Sequence, residues 1–152
     1  MKNMIIGLDM DIIPGKSIGG ISLGDNVNDV IKSIGEKHPI SKYDFQNHTG
    51  NYSLYNIFNG AISFTCDSNN IIVALWCTPP YQGSFNKKLY PGITALEIRR
   101  RSKKQEIIKG YLVIDKNFSI YYGMPDEIDD FNSFSELDDD TIFNELYVGN
   151  LK

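Results

Sequence analysis

The chain has 152 residues, 41% hydrophobic and 22% charged, which is enough for one domain with a packed core and ordinary for a globular protein. Fifteen Lys and Arg against 19 Asp and Glu give a formal net charge of −4, which argues against general nucleic-acid binding, where a basic surplus is usual. No apolar run approaches the roughly 20 residues needed to span a bilayer.

The segment Met1-Lys2-Asn3-Met4-Ile5-Ile6 begins like a signal peptide. Gly7, Asp9 and Asp11 end its apolar run too early for one, so a cytoplasmic protein is expected. Residues 11–24 are rich in Gly and turn formers and read as a short strand, a loop and the entry to a helix. Asp25 or Asn26 is placed to cap that helix. Val27, Val30, Ile31 and Ile34 follow at i, i+3, i+4, i+7, and Gly35 is placed to end it in the left-handed conformation. Residues 37–51 are polar and show no periodicity. A meander is predicted next: a strand over 52–58, a turn at Asn59-Gly60, and strands over 61–66 and 71–77, stopped by Thr78-Pro79-Pro80. A hairpin about 67–70 sets Cys66 and Cys77 roughly 20 Å apart, too far for a disulfide. Two reduced, partly buried thiols are expected. Nine Tyr, eight Phe and Trp76 supply material for the core.

The second half replays the first. Pro91-Gly92 precedes Thr94, which forms a capping box with Glu97 at the start of a second helix. A hairpin about 115–117 follows, and Gly60 and Gly110 stand 50 residues apart, each ahead of a similar strand. The chain therefore divides into sub-repeats 11–80 and 88–125 of helix-then-hairpin type, within a single domain 1–152. Pro125 opens the C-terminal segment 126–152, and Leu146-Tyr147-Val148 reads as a closing strand.

Several motifs suggest chemistry and fall short of it. Gly15-Lys16-Ser17 resembles the end of a phosphate-binding loop, but Met10 stands where that motif needs its first glycine. His38 and His48 lack partners at metal-ligand spacing. Nothing marks a nucleophile elbow or an oriented base. No enzyme, cofactor or metal is expected. Arg99, Arg100, Arg101, Lys103 and Lys104 form the one basic cluster. They suit a helix C-terminus, contact nucleic-acid phosphates, or pair with the acidic segment.

That segment is the most informative feature. Nine of the 19 carboxylates fall within 126–145, uninterrupted by Lys or Arg: Asp126, Glu127, Asp129, Asp130, Glu136, Asp138, Asp139, Asp140 and Glu145. Phe131, Phe134, Leu137, Ile142 and Phe143 are threaded through it, anchors that a purely solvating acidic tail lacks. The competing view is a solvated turn at Asp138, Asp139 and Asp140 capping a helix over 141–146. The preferred one is a folded acidic surface for a basic partner. Asp126, Glu127, Asp129, Asp130, Phe131, Glu136, Asp138, Asp139 and Asp140 are its candidate contacts.

The run Ile13-Pro14-Gly15-Lys16-Ser17-Ile18-Gly19-Gly20-Ile21-Ser22-Leu23-Gly24, ahead of a helix with Val27 and Val30, resembles immunity proteins of bacterial polymorphic toxin systems, of the contact-dependent growth inhibition type. Leu89-Tyr90-Pro91-Gly92-Ile93-Thr94, Gly110-Tyr111-Leu112-Val113-Ile114-Asp115 and Tyr121-Tyr122-Gly123-Met124-Pro125 follow the same kind of pattern. The resemblance implies a cytoplasmic inhibitor of a cognate toxin domain, commonly a nuclease and the C-terminal part of a large secreted effector. Such a protein blocks the toxin's active or substrate-binding surface, without direct contact with nucleic acid or membrane. It carries over no individual binding residue. The expected fold is α+β, a mainly antiparallel sheet of about five or six strands with helices packed on one side. The rival functions are a nucleic-acid-binding module using Arg99, Arg100, Arg101, Lys103 and Lys104, an envelope-assembly module, and a small hydrolase.

Overall fold

Short runs of alternating apolar and polar residues, punctuated by turn formers, set the architecture. The protein's structure, a computed structural model, describes residues 4–36, 38–125 and 133–152. In the first half, β1 (Ser17–Ile18) and β2 (Ile21–Ser22) form a small hairpin. Helix α1 (Val27–Ile34) is capped by the Asn26 side chain, which accepts the Asn28 N–H at 2.9 Å. It buries Val27, Val30 and Ile34 and stops at Gly35, whose φ of 73° is joined to an extended ψ of −171°, not the expected left-handed helical value. Strands β3 (Ile40–Asn47), β4 (Gly50–Ile57), β5 (Ile62–Cys66) and β6 (Ile72–Cys77) then run as a meander.

The second half has β7 (Ile93–Thr94), then α2 (Ala95–Arg101), capped by the Thr94 hydroxyl, which accepts the Glu97 N–H at 3.2 Å. Strands β8 (Gln105–Ile108), β9 (Tyr111–Ile114) and β10 (Ile120–Gly123) follow. Lys109 and Gly110 join β8 to β9 with φ of 53° and 84°, the paired positive values that a tight two-residue hairpin turn requires. Last come β11 (Ile142–Phe143), paired with β7, and β12 (Leu146–Val148). The main sheet has eight antiparallel strands in the order β3-β4-β5-β6-β12-β10-β9-β8.

This corrects the expected α+β fold of five or six strands with helices on one side. The described residues hold twelve strands and two helices of eight and seven residues, a sheet-dominated fold. Two segments account for most of the difference. The polar stretch before residue 52 belongs to the outermost hairpin of the sheet. β3 is exposed along most of its length, so it carries no apolar alternation to read. The helix weighed as the competing view over 141–146 does not form: β11 stands there, and β12 coincides with the closing strand read at 146–148. Phe143 is buried and Ile142 exposed, a period of two, and Phe143 pairs with Ile93.

One face of the sheet carries the core. Tyr55, Ile57, Ile62, Phe64, Leu75, Leu112, Tyr122, Leu146 and Val148 are buried there, together with Ile18, Ile21, the inward residues of α1, and Ala95 and Ile98 of α2. Cys66 and Cys77 are fully buried, not partly. Cys66 pairs with Ile72 and Cys77 with Ile62, at opposite ends of the β5–β6 hairpin, and both thiols are free. No helix among the described residues is long and apolar enough to cross a membrane.

β12 pairs with β6 on one side and β10 on the other, so its inward residues lie in the middle of the sheet. Leu146→Ala is expected to cost roughly 2–5 kcal/mol by leaving a cavity there. Ile142→Ala, at a side chain 45% exposed, should stay within about 0.5 kcal/mol of wild type. Urea denaturation of the two variants measures the contrast.

Candidate functional site

The acidic segment is built onto α2. The described part begins with a 3-10 turn at Phe134–Glu136, and Phe134 and Leu137 turn into the core. Glu136, Asp138, Asp139 and Asp140 point outward and are exposed. The Thr141 N–H closes a turn on the Asp138 carbonyl at 3.1 Å. The first N–H groups of a helix lack partners within it. Here Ala95 donates to the Thr141 carbonyl at 2.8 Å and Leu96 to the Asp139 carbonyl at 3.0 Å.

Arg99, one turn further along α2, completes the clamp. Its guanidinium donates to the Leu137 carbonyl at 2.7 Å and the Phe134 carbonyl at 3.2 Å, lies 4.9 Å from the Phe134 ring, and ion-pairs with Asp139. The basic cluster is thus partly used inside the protein. Arg101 holds Glu97 at 3.0 Å, the Lys88 carbonyl at 2.9 Å and the face of Tyr90. Arg100, mostly exposed, also reaches Glu97. The backbone N–H groups of Lys103 and Lys104 both donate to the Asp115 carboxylate at 2.8 Å. The structure therefore brings Glu136, Asp138, Asp139 and Asp140 together on one surface, with Asp139 tied to Arg99. Candidate contacts Asp126, Glu127, Asp129, Asp130 and Phe131 lie outside the described residues. Glu145 belongs elsewhere, on the opposite face of the sheet.

That opposite face holds residues the sequence argument assigned to the core. Register carries one row of outward positions across all eight strands: Ser41, Asn56, Ser63, Trp76, Tyr147, Tyr121, Val113 and Glu106. Its β3–β5 end is polar, with Ser63 donating to Asn56 at 2.6 Å. Its centre is aromatic. Trp76 stacks on Tyr147 with ring centres 5.2 Å apart, Tyr147 lies parallel to Tyr121 at 5.8 Å, and Tyr111 meets both edge-on at 5.4 and 4.9 Å.

Two glycines make room for these rings. A Cβ on Gly149 would stand 2.2 Å from the Tyr121 hydroxyl, and one on Gly123 would stand 2.6 Å from a Glu145 oxygen and 3.2 Å from the Tyr147 ring. Period-two spacing was the available signal. Trp76 lies between buried Leu75 and Cys77, Tyr121 between Ile120 and Tyr122, and Tyr147 between Leu146 and Val148.

Other chemistry is sparse. His38 and His48 are exposed, and His38 packs edge-on against Phe58. Among the described residues no group of three or more His, Cys, Asp or Glu could hold a metal ion. Burial pushes the Cys77 thiol far up, which suits an inert thiol, not a nucleophile. The Gly15 N–H that a phosphate-binding loop would offer is spent on the Ser119 carbonyl at 2.8 Å. Comparison with protein-family models, curated proteins and solved structures returns no match.

Two outcomes follow from this geometry. Arg99→Ala should destabilise the protein by roughly 1.5–3 kcal/mol, the scale of charged hydrogen bonds lost from buried carbonyls, whereas Arg100→Ala should stay within about 0.5 kcal/mol. Equal shifts in urea midpoint would refute the clamp. The second concerns pH. Burial raises the Tyr121, Tyr122 and Tyr147 phenols above their ordinary value, and Glu145 raises Tyr147 further. On alkalinisation the unfolded chain releases these protons first. The stability they contribute is therefore complete below about pH 10 and is lost as pH rises through the folded values. Urea midpoints should fall above about pH 10, and Tyr147→Phe should flatten the decline.

Proposed function

We propose that this chain is an immunity protein that binds a cognate toxin domain, a basic nuclease, in the cytoplasm and blocks its active or substrate-binding surface while doing no chemistry itself. The observation that carries this is the exposed anionic turn of Asp138, Asp139 and Asp140, fixed to α2 through backbone hydrogen bonds and Arg99. A nuclease cleft holds phosphate and is therefore positively charged. Carboxylates mounted on an ordered turn present the opposite charge with little conformational entropy left to lose on binding. Clustered charge of this kind raises association rates by about 10–10³-fold.

The resemblance in Gly and Pro spacing supports the same class. The rival use of the basic cluster on nucleic acid is weakened, because Arg99 and Arg101 already have internal partners. An interface of the standard size, about 1,600 Å² in total, is expected.

The test is co-expression with the toxin domain encoded by the neighbouring reading frame. Growth rescue and co-purification support the reading, and failure of both removes it. In binding kinetics on the purified pair, raising salt should slow association strongly and dissociation weakly. Converting Asp138, Asp139 and Asp140 together to Asn should slow association on the order of tenfold, with urea midpoints as the folding control. A salt-insensitive association rate would remove electrostatic steering from the mechanism.

A further inference from the structure

The outward face of the eight-stranded sheet is the largest feature that the proposed function leaves unused. Its centre is the composition that dominates protein-binding hot spots, tryptophan and tyrosine held by their neighbours in fixed orientations. Val113 beneath them is fully buried yet is not part of the core cluster, so its cover is this layer of side chains. Val73 of β6 is 48% exposed.

An exposed carboxylate stands beside the rings. Glu145 accepts from the Tyr147 hydroxyl at 3.2 Å and is exposed. Glu106 ends the row. One of its oxygens lies 3.8 Å from Lys104, and the other is buried without a hydrogen-bond partner among the described residues, so neither is open to a partner. The four cation–π contacts among the described residues all use other rings: Tyr55, Tyr90, Phe118 and Phe134. None of them uses Trp76, Tyr121 or Tyr147; Tyr147 is stacked between the other two, so a partner's cation meets this row at its ends and along its outer edge.

We propose that this face, centred on Trp76, Tyr111, Tyr121 and Tyr147, is a docking surface for the cationic face of a partner protein, with arginine side chains packed against the row of rings and their charge met by Glu145. The inference rests on the proposed function and deepens it, since it names the surface that supplies the apolar contact to the same basic partner. The acidic turn on α2, on the other side of the sheet, then acts at longer range by steering. Arginine suits such a site because its planar guanidinium stacks on an aromatic ring and still donates to a carboxylate. Aromatic sheet faces also stack nucleic-acid bases. Here the exposed Glu145 would repel the phosphates that accompany those bases, so the charge favours a cationic protein.

Trp76 is the chain's one tryptophan, so its fluorescence reports from the centre of the proposed surface. The probes are an arginine-rich octapeptide, a glutamate-rich octapeptide of equal length and octauridylate, each titrated into the full chain at about 0.15 M salt, where exposed charges more than about 8 Å apart are largely screened. The arginine peptide should change Trp76 emission saturably, and the other two should not. Tyr121→Ala and Tyr147→Ala should each weaken that binding roughly tenfold, Tyr121→Phe should retain it, and Glu145→Gln should weaken it and reduce its salt dependence. The triple Asp138→Asn, Asp139→Asn, Asp140→Asn variant should leave it within about twofold, because the turn is on the other side of the sheet.

Saturable binding of octauridylate in place of the arginine peptide would overturn the proposal in favour of a nucleic-acid surface. No saturable change, or binding indifferent to Tyr121→Ala and Tyr147→Ala, would overturn it outright. The titration needs no toxin, so it stands apart from the growth assay. Wild-type protein that takes the peptide but fails to protect cells would remove the proposed function and keep the surface. Full protection by a Trp76→Ala, Tyr121→Ala double variant would remove the surface and keep the function.

Discussion

Three residues, Leu146, Tyr147 and Val148, occupy the gap between β6 and β10 and make two groups of strands into one sheet. Without them, β6 and β10 would each present a row of unpaired backbone groups in the middle of the molecule, the most exposed kind of edge a sheet can have. Because a strand alternates, the same three residues serve both faces. Leu146 and Val148 enter the core, and Tyr147 faces outward between Trp76 and Tyr121. Continuity of the sheet, closure of the core and assembly of the aromatic layer are one event. The row from Ser41 to Glu106 exists only because the register on both sides of β12 is in step.

Charge is distributed around this frame in two ways. On the helix side, opposite charges are brought together: Arg99 takes Asp139 and the carbonyls beneath it, and Arg101 takes Glu97 and the Lys88 carbonyl. Exposed ion pairs contribute little to stability. The value of Arg99 lies in the main-chain carbonyls and the Phe134 ring it covers, which hold an acidic turn in one place. On the other side of the sheet Glu106 faces Lys104, and Glu145 accepts from the Tyr147 hydroxyl and stays exposed beside the rings.

The sequence was legible where a local rule acts alone. Asn26 and Thr94 cap their helices because a short polar side chain next to an unsatisfied N–H accepts from it wherever the chain folds. The strands over 52–77 followed from alternation and from Asn59-Gly60, and the separation of Cys66 from Cys77 followed from strand geometry. It was illegible where neighbours decide. β3 has no apolar stripe, because an outermost strand with little on either side of it needs none. Near the C-terminus a helix over 141–146 competed with the closing strand read at 146–148, and pairing with Ile93 and Cys77 decided for strands.

The amino-acid sequence by itself determined the positions of the caps and turns, the free thiols and the concentration of carboxylates near the C-terminus, since each depends on residues close together in the chain. Tertiary structure alone decided that β12 lies inside the sheet, that Arg99 binds the acidic turn, and that Trp76, Tyr111, Tyr121 and Tyr147 form an outward layer and not part of the core. The reason is common to all three. A side chain's face is fixed by strand register, and register is fixed by partners that lie far away in the sequence, so the same tyrosine reads equally well as core or as surface until its neighbours are known.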